Sequence, residues 1–474
     1  MKTIFASAAV AAALYAAPAM AQDAKAVIAR AQAAMGNPAA LQYTGTGMNA
    51  FFGQALTAGQ EWPRRPLESM TAAVNYDQKA ATLGLVFKNP VFGGQRQNTF
   101  VNGDRAWNIG PNGPNPQLAA AEERQLQIWM TPHGFLRAAA AANAAVTSRT
   151  EGNAKVDVVS FTVLNKFKLA GTIDAAGMVT GVETQFPNPV MGDMAYSYKY
   201  SDYKDFAGGK FPGHIVQSGG GFAVNDFTVT GVQTNVTADL AVPANVQSAS
   251  VPAVQVATTK LADGVWLLAG GSHHSVLVDF DKYIAVIEAP QLEDRSLAVI
   301  AEAKKLVPGK PIKYVISTHH HFDHSGGLRT YVAEGATVVT HVSNKPYFEQ
   351  TFAAAATIVP DAQSKAHKTP VFETVTDKHV ISDGKRSVEV YNTVGDSHSN
   401  ELSVVYIPAA RILVEADSYS PGPAGAAPPS SPPPDAVVLY DNIQRLKLDV
   451  GTVVGVHGRG AVPMAEFAAF VGKK

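Results

Sequence analysis

The run YVISTHHHFDHSGGL, residues 314–328, decides the reading of this chain. It opens on Tyr314–Ile316, apolar and written like a buried strand, and turns polar at Ser317. Four of the thirteen histidines then fall close together with one aspartate among them. The pattern is H-x-H-x-D-H: His319, His321, Asp323, His324. Side chains at a strand end are held rigidly yet face a cleft, so His319 and His321 can converge on one ion. Asp323 and His324, past the start of the turn, can reach a second. His320 alternates away and is not expected to be a ligand. Gly326-Gly327 is expected to let the chain bend tightly beneath the site.

Two or three ligands do not complete a zinc site, so partners must come from elsewhere in the chain. His398, in VGDSHSNELSVVYIP, stands just before a strand. Asp417, in ARILVEADSYSP, and His457, in TVVGVHGRG, each follow one. Alone, the tetrad would suit a solvated His-rich turn. Three further ligands at strand ends favour a metal site. His133, His214, His367 and His379 lack such context and read as surface or core histidines. His341, closing GATVVTHV, reads as structural.

The rest of the sequence bounds the answer. At 474 residues two or three domains are expected. Charged residues are 16% and the formal net charge is −1, so no basic excess exists to hold nucleic acid. Cysteine is absent, which excludes disulfides and leaves only His, Asp and Glu to bind zinc. The N-terminus has Lys2, a short apolar run and Ala19-Met20-Ala21. That is a signal peptide over 1–21 with cleavage after Ala21, predicting a periplasmic or secreted protein with no membrane span after cleavage. Residues 22–237 read as a β-rich domain: a helix over 23–35, strands from Ser69 to Val236, and one helix near Ala121–Ala142. Hairpin turns are expected at Asn102-Gly103-Asp104, at Asp174–Gly177 and at Gly208-Gly209. The expectation is an antiparallel, curved sheet. Residues 238–255, small and Pro-punctuated, read as a linker. In 256–474 strands alternate with helices, which predicts sheets covered by helices.

The order HxHxDH, then His, Asp and His, resembles the metallo-β-lactamase superfamily over roughly Val256 to Lys474. KLADGVWLLAGGSHHSVLVDFDKYIAVIEAP, residues 260–290, also resembles the opening strands of that family. The resemblance implies an α/β fold, an αβ/βα sandwich of two mixed sheets with helices outside. It implies that His319, His321 and His398 hold a first zinc, that Asp323, His324 and His457 hold a second, and that Asp417 bridges them. Asp323 and Asp417 would be catalytic, orienting a shared water. Glu288, in AVIEAP, stands where family members usually carry Asp and would support the ligand loop from behind. The cofactors implied are two Zn2+, with Mn or Fe compatible with the same donors. Two ions ~3.5–4 Å apart make a metal-bound hydroxide for hydrolysis. The substrate expected is a small molecule with an ester-like bond, such as a lactone or thioester. A periplasmic β-lactamase is the alternative enzyme, although a bridging Asp resembles the glyoxalase II-like, lactonase and phosphodiesterase branches more. A lipid- or ligand-binding protein with a structural metal site is the non-enzymatic alternative. Six or seven ligands for two ions leave positions open, which favours the enzyme. The Pro-rich segment 420–434 would be either a cleft wall or lid, or a plain connector. The sequence carries no signal for an oligomeric state.

Overall fold

The computed structural model describes residues 23–91, 94–206, 208–236 and 238–473, the side chains of 90 and 91 excepted. The expected signal peptide and its cleavage site lie outside them. Among the described residues, thirteen strands between Ala40 and Thr234 form one antiparallel sheet. The first of these strands, Ala40–Ala50, and the last, Phe222–Thr234, pair in its middle, and hairpins run outward from there to Gly113–Pro116 and to Ala145–Glu151. Strands therefore begin well before Ser69, where the sequence suggests. ALQYTGTGMNA alternates poorly, but pairing on both sides overrides weak local preference.

One further expectation needs correction. The single helix over 121–142 is two, Ala121–Met130 and Pro132–Ala141. Pro132 disfavours helical backbone at Thr131, which is extended, and the Thr131 hydroxyl accepts the Gly134 amide to cap the second helix. The hairpin expected at Gly208-Gly209 forms, with Lys204–Phe206 paired to Gly209–Phe211 at its tip. Around it, Gly192–Ser201 pairs with His214–Gly219 as neighbours in the large sheet.

The two helices and the N-terminal helix Ala24–Met35 share one core with the sheet, in which Leu126, Met130 and Phe135 meet Val101, Phe161 and Phe167. Each such side chain contributes about 1.5–3 kcal/mol by leaving water. Helix Ala121–Met130 touches strand Gly94–Asn102 and helix Pro132–Ala141 touches Ala154–Val163, which lie on opposite wings. The sheet thus curls around the pair, as sheets of more than about ten strands tend to. Segment 238–255 carries the short helix Ala244–Gln247 and lies along one sheet edge. There Arg105 Nη1 donates to Ala249 O at 2.9 Å and Asn245 Nδ2 to Pro114 O at 2.8 Å.

The C-terminal half is a sandwich. One sheet has seven strands, from Ala257–Ala262 to Val371–Val375, and the other six, from Lys378–Ser382 to Ala461–Pro463. Ile287, Ile316, Val405, Val414 and Val454 fill the space between them. Helices Glu293–Leu306 and Leu328–Glu334 cover the outside of the first sheet, through Val299, Ile300, Leu328 and Tyr331. Helices Pro434–Arg445 and Met464–Phe470 cover the second, through Leu439, Ile443 and Phe467. Strands such as IAVI and ILVE are apolar throughout because both of their faces are buried. This is the αβ/βα architecture that the resemblance implies. The large sheet meets the sandwich where the Thr357 amide and hydroxyl donate to Asp193 Oδ2 at 2.8 and 2.6 Å. No helix among the described residues is long and apolar enough to cross a membrane.

Candidate metal centre

Strand direction assembles the site. Strand Ile312–Ile316 runs parallel to Ile284–Ile287, and the tetrad follows its C-terminal end. In the other sheet Ile412–Glu415 and Thr452–Gly455 are parallel, so Asp417 and His457 leave at the same edge. Strand Ser403–Ile407 is antiparallel to Ile412–Glu415, which puts its entry, and His398, at that edge too. The Ser403 amide donates to Thr318 O at 2.9 Å and joins the two edges.

All seven residues singled out in the sequence come together there. Asp417 is central. Its Oδ2 lies 2.8 Å from His324 Nε2, 3.3 Å from His319 Nε2 and 3.4 Å from His398 Nε2, and its Oδ1 lies 3.0 Å from His457 Nε2. His321 Nδ1 is 2.8 Å from His398 Nε2. Three sets each have their nitrogen or oxygen atoms within 4.8 Å of one another: His319, His321 and His398; His319, His324 and Asp417; and His273, Asp323, His324 and His457. The side chains of His319 and His324 are fully buried, whereas that of Asp323 is 38% exposed and that of His398 23%. The cluster therefore opens on the side of Asp323 and His398.

His273 is the residue that the sequence reading passes over. Its Nε2 lies 3.2 Å from Asp323 Oδ2, and its ring centre is 4.1 Å from that of His457. Its signal is the HH of GGSHHSVLV, at the entry of strand Ser275–Asp279 rather than at an exit. That strand is antiparallel to Ile284–Ile287, so its entry and the exit of Ile312–Ile316 share one edge. The neighbouring His274 instead ties loops together, its Nε2 donating to Gly458 O at 2.9 Å.

Glu288 sits behind the ligands, fully buried. Its Oε1 accepts the Thr318 amide at 2.9 Å and its Oε2 faces His324 Nδ1 at 2.6 Å, which leaves His324 Nε2 directed at Asp417. Glu288 and Asp417 both have left-handed backbone, φ 71° and 64°, an arrangement that costs about 1–2 kcal/mol at a non-glycine residue. Gly326 and Gly327 are needed for space rather than for a bend, since neither has positive φ. A Cβ at Gly326 would collide with the Gln291 carbonyl, and one at Gly327 with the Ser296 hydroxyl.

Burial, reinforced by neighbouring histidines, holds His319 well below the usual imidazole range and His321 down to about 3. Both keep the lone pairs that metal ligation requires. Burial works against charge on His324 too, but Asp417 and Glu288 outweigh it and raise its pKa. Burial opposes the ionised form of Asp417, yet His324, His457 and His319 keep it a carboxylate. His320 is buried, belongs to none of the three sets, and has Nδ1 3.6 Å from Glu401 Oε2. His341 accepts the Ser343 amide at 3.3 Å and is likewise outside the sets. His133 is a core residue stacked on Phe211, while His214 and His379 pair with Asp226 and Glu373 near the surface.

The donor set fits divalent metal. His319 Nε2 and Asp417 Oδ2 are buried without a well-formed hydrogen bond, although each is surrounded by nitrogen or oxygen atoms. Such atoms are costly unless something else satisfies them. Imidazole nitrogens and carboxylate oxygens, with no thiolate, suit zinc, manganese or iron.

Residues 268–457 match the model of the metallo-beta-lactamase superfamily. No curated protein matches the chain. Similar solved structures include a metallo-beta-lactamase from Pontibacter korlensis, at 20% identity over 46% of this chain and 98% of that one, with a TM-score of 0.35. Another is the metallo-beta-lactamase FIM-1 from Pseudomonas aeruginosa in its mono-zinc form, at 16% identity over 47% and 96%, TM-score 0.34. A third is rubredoxin oxygen:oxidoreductase from Desulfovibrio gigas, at 15% identity over 46% and 61%, TM-score 0.36. Over residues 268–457 the chain is similar to the metallo-beta-lactamase superfamily, and that stretch holds every residue of the cluster, from His273 to His457.

Proposed function

We propose that this protein is an exported dinuclear-zinc hydrolase of small molecules bearing an ester-like bond, such as a lactone or thioester. The observation that carries this reading is Asp417, whose one carboxylate faces His319, His398, His324 and His457 at 2.8–3.4 Å. A single carboxylate between two histidine groups is built to serve two ions. His319, His321 and His398 would hold one ion. Asp323, His324 and His457 would hold the other, with His273 beside them and Asp417 between the two.

When bound, the ions supply Lewis acidity and lower the pKa of a water to about 7. The chain's residues do the rest. Asp323 and Asp417 would offset the cationic charge, and Asp323, on the open side, would orient the attacking water. Glu288 fixes the direction of His324. Segment 420–434 is read as a wall of the cleft. At its start the Arg459 amide donates to Pro421 O at 2.9 Å, two residues from His457. Just past its end Asp435 accepts the Ser397 amide at 3.0 Å, one residue from His398. Export follows from the N-terminal apolar segment and the Ala19-Met20-Ala21 motif.

The test is metal analysis of the purified protein together with a panel of lactones, thioesters, β-lactams and phosphodiesters. About two zinc equivalents are expected, with lactone or thioester turnover. Asp417→Ala should lower kcat/KM by more than about a hundredfold, since even residues behind the ligands cost 10–100-fold. Preferential β-lactam turnover would move the reading to the alternative enzyme. A metal-free protein with unchanged activity would end it.

A further inference from the structure

Strands Ala40–Ala50 and Arg64–Asn75 are antiparallel neighbours paired to their last residues, Ala50 with Arg64. A hairpin loop of two to five residues would join them. The chain instead spends residues 51–63 on an excursion that leaves the large sheet and lies on the histidine cluster. It is fastened there by backbone and side chain. Phe322 N donates to Gly53 O at 3.3 Å, and Asn400 N donates to Leu56 O at 2.9 Å. Asn400 Nδ2 donates to Thr57 Oγ1 at 2.8 Å. Trp62 is buried, with its ring centre 4.4 Å from that of Phe52 and 6.1 Å from that of Phe322. Gly53 has φ 77°, and a Cβ there would stand 2.6 Å from Phe322 Cγ, so only glycine lets the loop pass this close.

Two contacts reach the candidate ligands themselves. Gln54 Nε2 donates to Asp323 Oδ1 at 2.7 Å, and His321 Nε2 donates to Ala55 O at 2.8 Å. A carbonyl only accepts, so the Ala55 contact puts the His321 proton on Nε2 and leaves the Nδ1 lone pair facing His398. A carboxylate exposed like that of Asp323 is free to rotate unless both oxygens are engaged. Gln54 holds Oδ1 while Oδ2 stays near His273. We infer that the 51–63 loop of the N-terminal domain is a built part of the metal centre, with Gln54 as the positioning residue for Asp323 and the Ala55 carbonyl as that for His321. One two-residue stretch thus orients one ligand in each half of the site. The N-terminal domain takes part in the hydrolase rather than standing beside it as a separate binding module.

The inference rests on the two-ion reading, and the experiment separates the two. The full-length chain is stripped of metal and titrated with zinc against a chromogenic chelator, as wild type and as Gln54→Met, which keeps side-chain length but removes the donor. Wild type should take up two ions. In Gln54→Met the ion that Asp323 serves should bind about ten- to a hundredfold less tightly, with the other ion and the metal-free melting midpoint unchanged. Gln54→Asn, which restores a donor on a shorter arm, should recover part of the loss. The visible spectrum of the second cobalt ion in the cobalt-loaded protein should shift in Gln54→Met. Two ions bound by Gln54→Met as tightly as by wild type would overturn the inference and leave the two-ion reading standing. Equal weakening of both ions with a lowered metal-free midpoint would also overturn it, since that is general loosening. Fewer than two ions in wild type would overturn both.

Discussion

Replacing Glu288 by Gln tests the logic of the site most sharply. Glu288 has no exposed surface, and its two oxygens receive two different donors, the Thr318 amide at 2.9 Å and His324 Nδ1 at 2.6 Å. Gln keeps the shape but turns one acceptor into an NH2 group. With His324 protonated on Nδ1, as Asp417 and Glu288 favour, one donor then faces a donor whichever way the amide is placed. A hydrogen bond to a charged group contributes about 1.5–3 kcal/mol, and a buried donor left unpaired costs about 1–3 kcal/mol. Removing a buried charge returns some of this. The net expectation is a loss of about 2–3 kcal/mol in the chelated protein. At about 2–4 °C per kcal/mol for a domain this large, the midpoint should fall by roughly 4–12 °C. The assay is thermal unfolding at pH 7 in chelator, followed by circular dichroism, with zinc titration in parallel. His324 loses the partner that directs its Nε2, so the ion it serves should bind about ten- to a hundredfold more weakly. Glu288→Asp, the shorter carboxylate, reaches one donor but not both and should fall between wild type and Gln. A Gln variant within about 0.5 kcal/mol of wild type, the range of an ordinary surface substitution, would refute the reasoning.

Three other outcomes are expected. Burial pushes His133 down to about 4, below an unfolded value near 6.5, so the unfolded chain binds its proton first. Its contribution is complete above pH 6.5 and is lost as pH falls toward 4, by about 3 kcal/mol at the limit. Urea unfolding across that range should show a flatter acid limb in His133→Gln, and an identical slope would argue against the assignment. Thr131→Ala removes the cap on Pro132–Ala141 and the partner of the Tyr76 hydroxyl, so urea titration should find it about 1–2 kcal/mol less stable. Chelator should lower the melting midpoint of the zinc-loaded protein, because free zinc at 1,000 times its Kd stabilises the fold by about 4 kcal/mol. A midpoint indifferent to zinc would count against the donor set.

Much of the site is legible along the chain because metal chemistry restricts residue type. Only His, Asp and Glu can serve in a chain without cysteine, and His319, His321, Asp323, His324, His398, Asp417 and His457 each stand beside a recognisable apolar strand. His273 escapes such a reading because it precedes its strand, and an entry meets the exits only when strand direction is known. The hairpins at Gly103-Asp104 and Asp174–Gly177 are legible because turn residues interrupt apolar runs locally. Strand Ala40–Ala50 is hidden because its stability comes from partners nearly 200 residues away, Leu41 facing Thr234 and Asn49 facing Asn225.

By itself the sequence determined which residues can bind metal and in what order they occur, since ligand chemistry and strand periodicity are local properties. The tertiary structure decided which atoms meet. It set one Asp417 carboxylate among four histidines, turned Glu288 and Asp417 by left-handed backbone, and brought Gln54 to Asp323. Nothing in FFGQALTAGQEW, residues 51–62, signals such a contact. An amide donor and a backbone carbonyl acquire a role only when folding carries them across 266 to 269 residues of chain to the ligands that they orient.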